Sequence, residues 1–452
     1  MEKRWQELLP KLQELLVEGD YMSVKRLLSG MEPPDLAEML DAIPPRTRVL
    51  LFRLLPKNLA IEVFEHLEGS AREELLDHFT DSEIAEIIEE MSDDDRTALF
   101  DELPAKTVKK LLLKLSPAER DIANELLNYP ESSAGRIMTP EFVDLKEYMT
   151  AEEAIRRIRQ QARKKETIYT CFVIDRERRL LGVVNLEDLI MAEPQTPVRA
   201  IMNLDPVCVR TDTDQEEVAR IMARYDLHTI PVVDKENRLV GIITFDDIMD
   251  VLEEETTEDF ERMAGIQPIE EGYLDAGIFT LTRKRLPWLV ICALIETVSS
   301  FVLQKYSIEI QSVVALAYFI PLLIDTGGNV GAQSATLMIR GMAVGEIGWR
   351  DLWKVFVREV FIALLLGSVL VALVMARAFM LSAGPDIALV VASALVFVVL
   401  LGNLAGIALP VIAKLFRVDP AVMSGPFITT IVDVCGLIIY FRIARFVLGP
   451  SL

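Results

Sequence analysis

The sequence has little histidine. Only His66, His78 and His228 occur among 452 residues, too few and too scattered for a zinc centre built on imidazoles. The four cysteines, Cys171, Cys208, Cys292 and Cys435, form no CxxC pair; this excludes a disulfide framework and fits reduced cytosolic and membrane thiols. An excess of positive charge is also missing: the net charge is −22, which argues against a nucleic-acid partner. The opening stretch "MEKRWQELLPKLQELL" is amphipathic and lacks the apolar core of a signal peptide, so the polar half that follows is expected to stay on the side of synthesis.

What is present is segregated. Residues 1–275 hold 60 Asp and Glu against 34 Lys and Arg, whereas residues 276–452 hold 9 against 13. An acidic, soluble-looking half precedes an apolar one. The apolar half contains five segments, roughly 286–304, 312–338, 355–380, 386–410 and 424–448, each near the ~20 residues that span a bilayer. The second is expected to break at "DTGGNVGAQS", and the fifth is interrupted by Asp433. Lys and Arg cluster before the first segment (Arg283, Lys284, Arg285), between the second and third (Arg340, Arg350, Lys354, Arg358) and between the fourth and fifth (Lys414, Arg417). By the positive-inside rule these positions share the cytoplasmic face. A multi-pass protein of the plasma (inner) membrane is expected, with a cytoplasmic N-terminal half and an external C-terminus. Arg442 and Arg445 run against the rule.

A carboxylate at the centre of a bilayer costs several kcal/mol unless it is partnered, so Asp433 is a functional candidate. In the second segment Gly327, Gly328 and Gly331 permit turns or close helix approach, and Asn329, Gln333, Ser334 and Thr336 carry hydrogen-bonding groups to membrane depth. The bland reading is a small-residue packing seam. A polar path lined by Gly328, Asn329, Gln333 and Thr336 is favoured by the company of Asp433. Glu296 is a third intramembrane acid, placed either on the path or near the external water, and Asp325 is expected near one mouth.

Residues 1–131 read as short helices with recurring apolar pieces ("LAEMLDAIP", "LAIEVFEHLEG", "EIAEIIEEMS", "TVKKLLLKLS"), caps such as Ser82 and Ser92, and Pro at the joints. The pattern predicts an all-α superhelical N-terminal domain. Residues 132–252 hold an internal repeat: "IMTPEFVDLKEYMTAEEAIRRI" aligns with "IMNLDPVCVRTDTDQEEVARIM", each followed by two strands and a helix. Met138 and Met202 open the units, and Gly182 and Gly241 are expected at equivalent turns. The order β-α-β-β-α, twice, resembles a tandem pair of CBS domains, an α/β architecture. That resemblance implies a sensing module, and in some CBS pairs an adenosine nucleotide held by an Asp at the places of Asp188 and Asp247; Asn185 stands where Thr is usual. Next comes "DDIMDVLEEETTEDFERMAG", in which Asp247, Asp250, Glu254/Glu255, Glu258 and Glu261 recur at helical spacing on one face. A solvated acidic helix is the usual fate of such a run. Like charges so packed repel unless cations bridge them, and an acidic linking (plug) helix over 253–282 is expected to act as a cation sensor.

A CBS pair, an acidic linking helix, five spans over 283–452, "DTGGNVGAQSATL" in the second and "GPFITTIVDV" in the fifth together resemble the MgtE family of magnesium channels and transporters, over essentially the whole chain. The resemblance implies a non-enzymatic homodimer in membrane lipid that takes up Mg²⁺ through a pore on its two-fold axis and closes when cytosolic Mg²⁺ binds. It implies Asp433 as the pore metal site. The regulatory acids it implies are Glu62, Asp94, Glu216, Asp226, Asp247, Asp250, Glu255, Glu258 and Asp259, and ATP is a further ligand at the CBS pair, with Asp188. Gly425, Asp325 and Ala98 depart from residues found in some members. The physics agrees: two symmetry-related Asp433 side chains neutralise a divalent ion where one does not, and Mg²⁺, which sheds water reluctantly, suits a path with few carboxylates. Other classes fare worse. An intramembrane aspartyl protease needs two acids at one depth and usually "GxGD", which is absent. A purely structural membrane protein leaves Asp433 unexplained. A proton- or sodium-coupled divalent cation carrier remains the alternative, and selectivity among Mg²⁺, Mn²⁺, Co²⁺ and Ni²⁺ is not encoded legibly.

Overall fold

The computed structural model describes residues 4–449 apart from 68, 270, 271, 274, 275, 382, 383 and 424. It divides into two compact units, 1–253 and 254–452.

In the first unit, ten helices run from Arg4–Glu18 to Pro117–Leu127. Pro at the first turn starts the helices Pro33–Asp41, Pro45–Leu54 and Pro117–Leu127, where its fixed φ and missing N–H cost nothing. The helix Asp81–Glu90 is capped by Thr80, which forms a capping box with Glu83; the side chain of Ser82, expected to cap it, lies outside the described residues. Ser92 is the N-cap position of Asp93–Glu102, and its hydroxyl donates to Asp95 rather than accepting a backbone N–H. Over much of the array a helix packs on its next-but-one neighbour, and Leu28, Leu36, Met39, Leu51, Phe64 and Leu99 are among the residues that fill the shared core.

Four arginines repeat through this array at intervals of 24 residues: Arg48, Arg72, Arg96 and Arg120. Each donates back to carbonyls that end the preceding helix. Arg48 reaches Leu40, Asp41 and Ile43, and Arg120 repeats the offsets on Leu112, Leu113 and Leu115. Arg72 bonds Leu67 and Arg96 bonds Ile88. These carbonyls lie at or just past helix ends, where intrahelical donors run out, so one guanidinium per repeat, buried at Arg48 and Arg96 and half-buried at Arg72 and Arg120, caps a helix end. Arg96, fully buried, also pairs with Asp93 and with Glu119 at 2.8 Å.

The CBS repeats form two three-stranded sheets: β1 (Asp144–Leu145), β2 (Thr170–Ile174) and β3 (Leu180–Asn185); then β4 (Val209–Arg210), β5 (Thr229–Val233) and β6 (Leu239–Thr244). In each, the first pair is parallel and the second antiparallel, with the same register irregularity. Gly182 and Gly241 are not at turns. They lie inside β3 and β6, where another backbone crosses: a Cβ on Gly182 would stand 2.5 Å from the Asn203 carbonyl, and one on Gly241 2.6 Å from Met138 Sδ. The repeats are interlocked there, with Thr139 bonded to Ile242 and Asn203 to Val183 in both directions.

The linking helix, Phe245–Met263, ends well short of the expected 282. Gly265 takes φ +74°; its N–H bonds the Arg262 carbonyl and that of Ile266 the Glu261 carbonyl. This is a Schellman stop, in which glycine supplies the left-handed residue at no steric cost.

The second unit holds five long helices: Ile278–Lys305, Ile320–Ala343, Leu352–Met380, Pro385–Leu415 and Gly425–Leu448. The first four are long and apolar enough to cross a membrane. The fifth, carrying Asp433, Arg442 and Arg445, has 24 residues, or about 36 Å at 1.5 Å per residue. The second helix is unbroken through "DTGGNVGAQS", and the fifth is unbroken through Asp433. The glycines form a packing seam instead. A Cβ on Gly402 would lie 2.4 Å from the Gly327 carbonyl and one on Gly406 2.4 Å from that of Gly331, so the second and fourth helices touch backbone to backbone. Arg445, which runs against the charge rule, is neutralised by the buried Glu309 and lies 4.9 Å over the Tyr306 ring.

Candidate functional site

In the second unit, the helix Ile320–Ala343 has two faces. Gly327, Val330, Gly331, Ser334, Ala335 and Met338 are buried. Asp325, Asn329, Gln333, Thr336 and Arg340 form an exposed polar stripe at i, i+4 or i, i+3 spacing. Asn329 Nδ2 donates to Asp325 Oδ2 at 3.2 Å, and Thr336 Oγ1 to the Ala332 carbonyl at 3.0 Å. Gly328, grouped with the stripe from sequence, is instead buried: a Cβ there would lie 2.8 Å from Thr429 Cγ2. Asp433 is half-buried on the fifth helix. Glu296 of the first helix and Asp325 of the second are both exposed. Thr429 and Thr430 lie one turn before Asp433, and their hydroxyls bond the Pro426 carbonyl at 2.9 and 2.7 Å.

The end of this unit that carries Asp419 is tied to the linking helix. Arg262 is bonded to Glu258 and to Asp419, in the turn before the fifth helix. Met263 packs beside Ala335, Ile339, Ile428 and Val432. Glu261 accepts the Ile269 N–H at 2.8 Å, and Lys284 Nζ donates to the Pro268 carbonyl at 2.7 Å.

In the first unit, carboxyls of the helical array and the CBS pair crowd together. Burial pushes Glu65 up to about 7, helped by Asp95 and Glu62. It pushes Glu166 up to about 7 with Asp247, Asp246 and Asp95 nearby, and Asp247 up to about 6, although Thr244 bonds it through both N–H and hydroxyl. Asp94 is held well above the usual carboxylate range by burial and by Asp247, Asp95 and Glu166, and its Oδ1 is buried without a hydrogen-bond partner. Burial raises Asp250 as well, with Asp95, Glu253 and Asp246 adding to it. Among the described residues no three His, Cys, Asp or Glu side chains stand close enough to hold a bare ion.

Of the acids singled out in the sequence, Glu62, Asp94, Asp247 and Asp250 meet here. Glu216 and Asp226 sit at opposite ends of the helix Gln215–Tyr225, the first 3.8 Å from Arg220 and the second as a left-handed C-cap. Glu255, Glu258 and Asp259 belong to the second unit's stretch of the linking helix. Asp188 is exposed on the helix Leu186–Met191; the hydroxyl that Thr244 gives Asp247 has no counterpart at Asn185. Sequence reasoning missed Glu65, Asp95 and Glu166, and in the membrane half Glu309 and Glu359; Asp246 was read only as part of the acidic run. Glu359 was open to the rule that flagged Asp433, an acid inside an apolar run; Glu309 lies between the first two runs.

The family model for MgtE divalent cation transporters matches residues 320–443, that for the MgtE intracellular N domain residues 31–132, and the CBS model residues 134–194 and 198–254. The magnesium transporter MgtE of Thermus thermophilus is 42% identical over 447 residues, covering 98% of this chain and 99% of its own length. The chain belongs to the MgtE family. The Bacillus subtilis MgtE is 34% identical over 333 residues, 74% of this chain and 73% of its own. The cytosolic domain of an MgtE Mg²⁺ channel, solved with ATP, aligns at TM-score 0.51 and 44% identity, covering 53% of this chain and 98% of that one. The soluble part of a second magnesium transporter aligns at 0.52 and 30% identity, covering 55% and 98%. MgtE is a transporter family, not a class of enzyme, and the α, CBS and membrane-helix parts fall in the order expected from sequence.

Proposed function

We propose that the chain mediates magnesium uptake as an Mg²⁺ channel or transporter that closes when cytosolic Mg²⁺ rises. The observation that carries this is the half-buried Asp433 on the fifth helix together with the exposed polar stripe of Asp325, Asn329, Gln333 and Thr336 on the second, in helices otherwise apolar. Intramembrane carboxylates gathered on one path serve a cation.

In this reading the fifth helix also spans the membrane, with the first unit cytoplasmic and the C-terminus external. Two copies pair so that their Asp433 side chains share one ion, and the ion passes largely hydrated. The regulatory cation is read at two groups of acids. In the first unit, Asp94, Asp247 and Asp250, with Glu62 beside them, would hold hydrated Mg²⁺. On the linking helix, Glu255, Glu258 and Asp259 would do so, beside the Arg262–Asp419 pair that meets the inner end of the ion path. Bound Mg²⁺ supplies a double positive charge that links carboxylates. Glu216 and Asp226 are read as a further, separate site. The ATP bound by the related cytosolic domain supports a nucleotide at this CBS pair, near Asp188.

The test is Mg²⁺ flux in proteoliposomes. The wild type should carry Mg²⁺, and Asp433→Asn, which keeps the shape and removes the charge, should not. Near-normal flux in Asp433→Asn removes the site assignment. Flux that requires an imposed pH or Na⁺ gradient makes the chain a coupled carrier instead.

A further inference from the structure

We propose that Glu359 is a positioning residue of the ion path: it locks the rotation of the helix Ile320–Ala343 through a three-helix clasp with Ser334 and Asn403. This rests on the reading that the helix lines the path.

Glu359 is the only acid of the helix Leu352–Met380, about 10 Å along its axis from the first residue. Its Oε2 lies 3.1 Å from Ser334 Oγ of the second helix and 3.0 Å from Asn403 Nδ2 of the fourth. The Asn403 amide also donates to the Glu359 backbone carbonyl at 3.2 Å. Ser334 Oγ stands 3.0 Å from Asn403 Oδ1, so the hydroxyl's single hydrogen has two acceptors within reach. Asn403 and Ser334 are both buried. Each helix contributes one corner, and a carboxyl carried this far into an apolar layer is retained only where such partners meet it.

What the clasp governs follows from helix geometry. Ser334 is on the buried face, and Gln333 and Thr336 are on the polar stripe. Successive residues are 100° apart around an α-helix, so fixing Ser334 fixes where Gln333 and Thr336 point. The neighbouring glycine seam sets how close the second and fourth helices come. The seam admits only the glycine faces, and the clasp adds directed hydrogen bonds to that steric constraint. The clasp lies directly beside the seam, since a Cβ on Gly406 would stand 2.9 Å from Ser334 Cβ, and it adds a hydrogen-bonded tie to the third helix.

The experiment compares Glu359→Leu and Glu359→Gln in the full chain reconstituted into liposomes. It reads the apparent KM for Mg²⁺, the ratio of Mg²⁺ to Ca²⁺ flux, and the amount of folded protein. Leu removes both hydrogen bonds, and the KM is expected to rise roughly three- to fifteen-fold, the range set by one membrane hydrogen bond, with a fall in the flux ratio. Gln keeps an acceptor for Asn403 and a donor for the triangle, and is expected to restore both values. Unchanged KM and ratio in Glu359→Leu overturn the proposal. So do Mg²⁺ and Ca²⁺ fluxes that fall together in step with folded protein, the mark of a purely structural role. If Glu359→Leu does not fold, Ser334→Ala removes one corner and leaves the Glu359–Asn403 bond; the same direction is expected, and wild-type KM and ratio overturn the role. A wild-type chain that carries no Mg²⁺ overturns the transport reading itself and this role with it, while Mg²⁺ flux with an insensitive Glu359 overturns only the latter.

Discussion

Burial holds Glu65, Glu166 and Asp247 near neutrality, with values of about 7, 7 and 6, and the sign of the consequence is fixed. A carboxyl whose folded value lies above its unfolded one adds stability that is complete below the unfolded value and is lost as pH rises through the folded value. The chelated protein is therefore expected to be less stable at pH 8 than at pH 5, by on the order of a few kcal/mol. Mg²⁺ favours the ionised carboxylates and should remove most of that difference. Thermal unfolding of the full chain at both pH values, in chelator and in Mg²⁺, checks this; a chelated protein that gains stability toward pH 8 contradicts it. Asp94 and Asp247 were legible through a motif resemblance. Glu65 and Glu166 were not, because "KKETIYT" reads as a basic loop and only tertiary packing brings Glu166 to Asp247. The buried Arg96 belongs to this scale as well. Arg96→Met leaves Asp93 buried without its partner and an open helix-end carbonyl, and should cost about 3–5 kcal/mol, read as a lowered denaturation midpoint. An unchanged midpoint would show that the guanidinium is dispensable.

Among elements, the least legible were those whose form depends on a neighbour. Glycine and polar residues in "DTGGNVGAQS" predict a break when that segment is considered alone. Set against Gly402 and Gly406 the same residues sustain a continuous helix, since close packing supplies what propensity lacks. Gly402→Val is thus expected to prevent the second and fourth helices from meeting, because the obstructing atom is the Gly327 carbonyl and backbone does not yield. Gly348→Val, at a position where a Cβ would meet only the Asp351 carboxylate at 3.6 Å, serves as the control. Size-exclusion profiles of the purified proteins decide: a monodisperse Gly402→Val would show the seam to be loose. The linking helix was legible in charge and face but not in length. Its stop at Gly265 depends on one glycine among acidic residues, and Trp288, against which a Cβ on Gly265 would stand at 2.1 Å, has no local signature.

At the scale of the whole molecule, the sign of charge alone separated the two halves, because a membrane tolerates little of what a cation sensor requires. Mg²⁺ at millimolar concentration is expected to protect residues 253–275 from protease, and NaCl of equal ionic strength is not, since screening acts through either salt whereas coordination needs the divalent ion. Equal protection by both would reduce the sensor to screening. Cross-linking in detergent should give a dimer, and a stable, active monomer would refute a shared Asp433 site. The recurring arginines of the first unit carry a consequence for how such a sensor changes over generations. Two residues before each of them the chain places Arg46, Ser70, Asp94 and Ala118, four unlike side chains in one equivalent slot. Arg46 and Ala118 are exposed there and Asp94 is half-buried, so the arginines, not this slot, tie the helix ends together. In the reading proposed above, the response to magnesium can therefore be changed by substitution at Asp94 while the array keeps its fold.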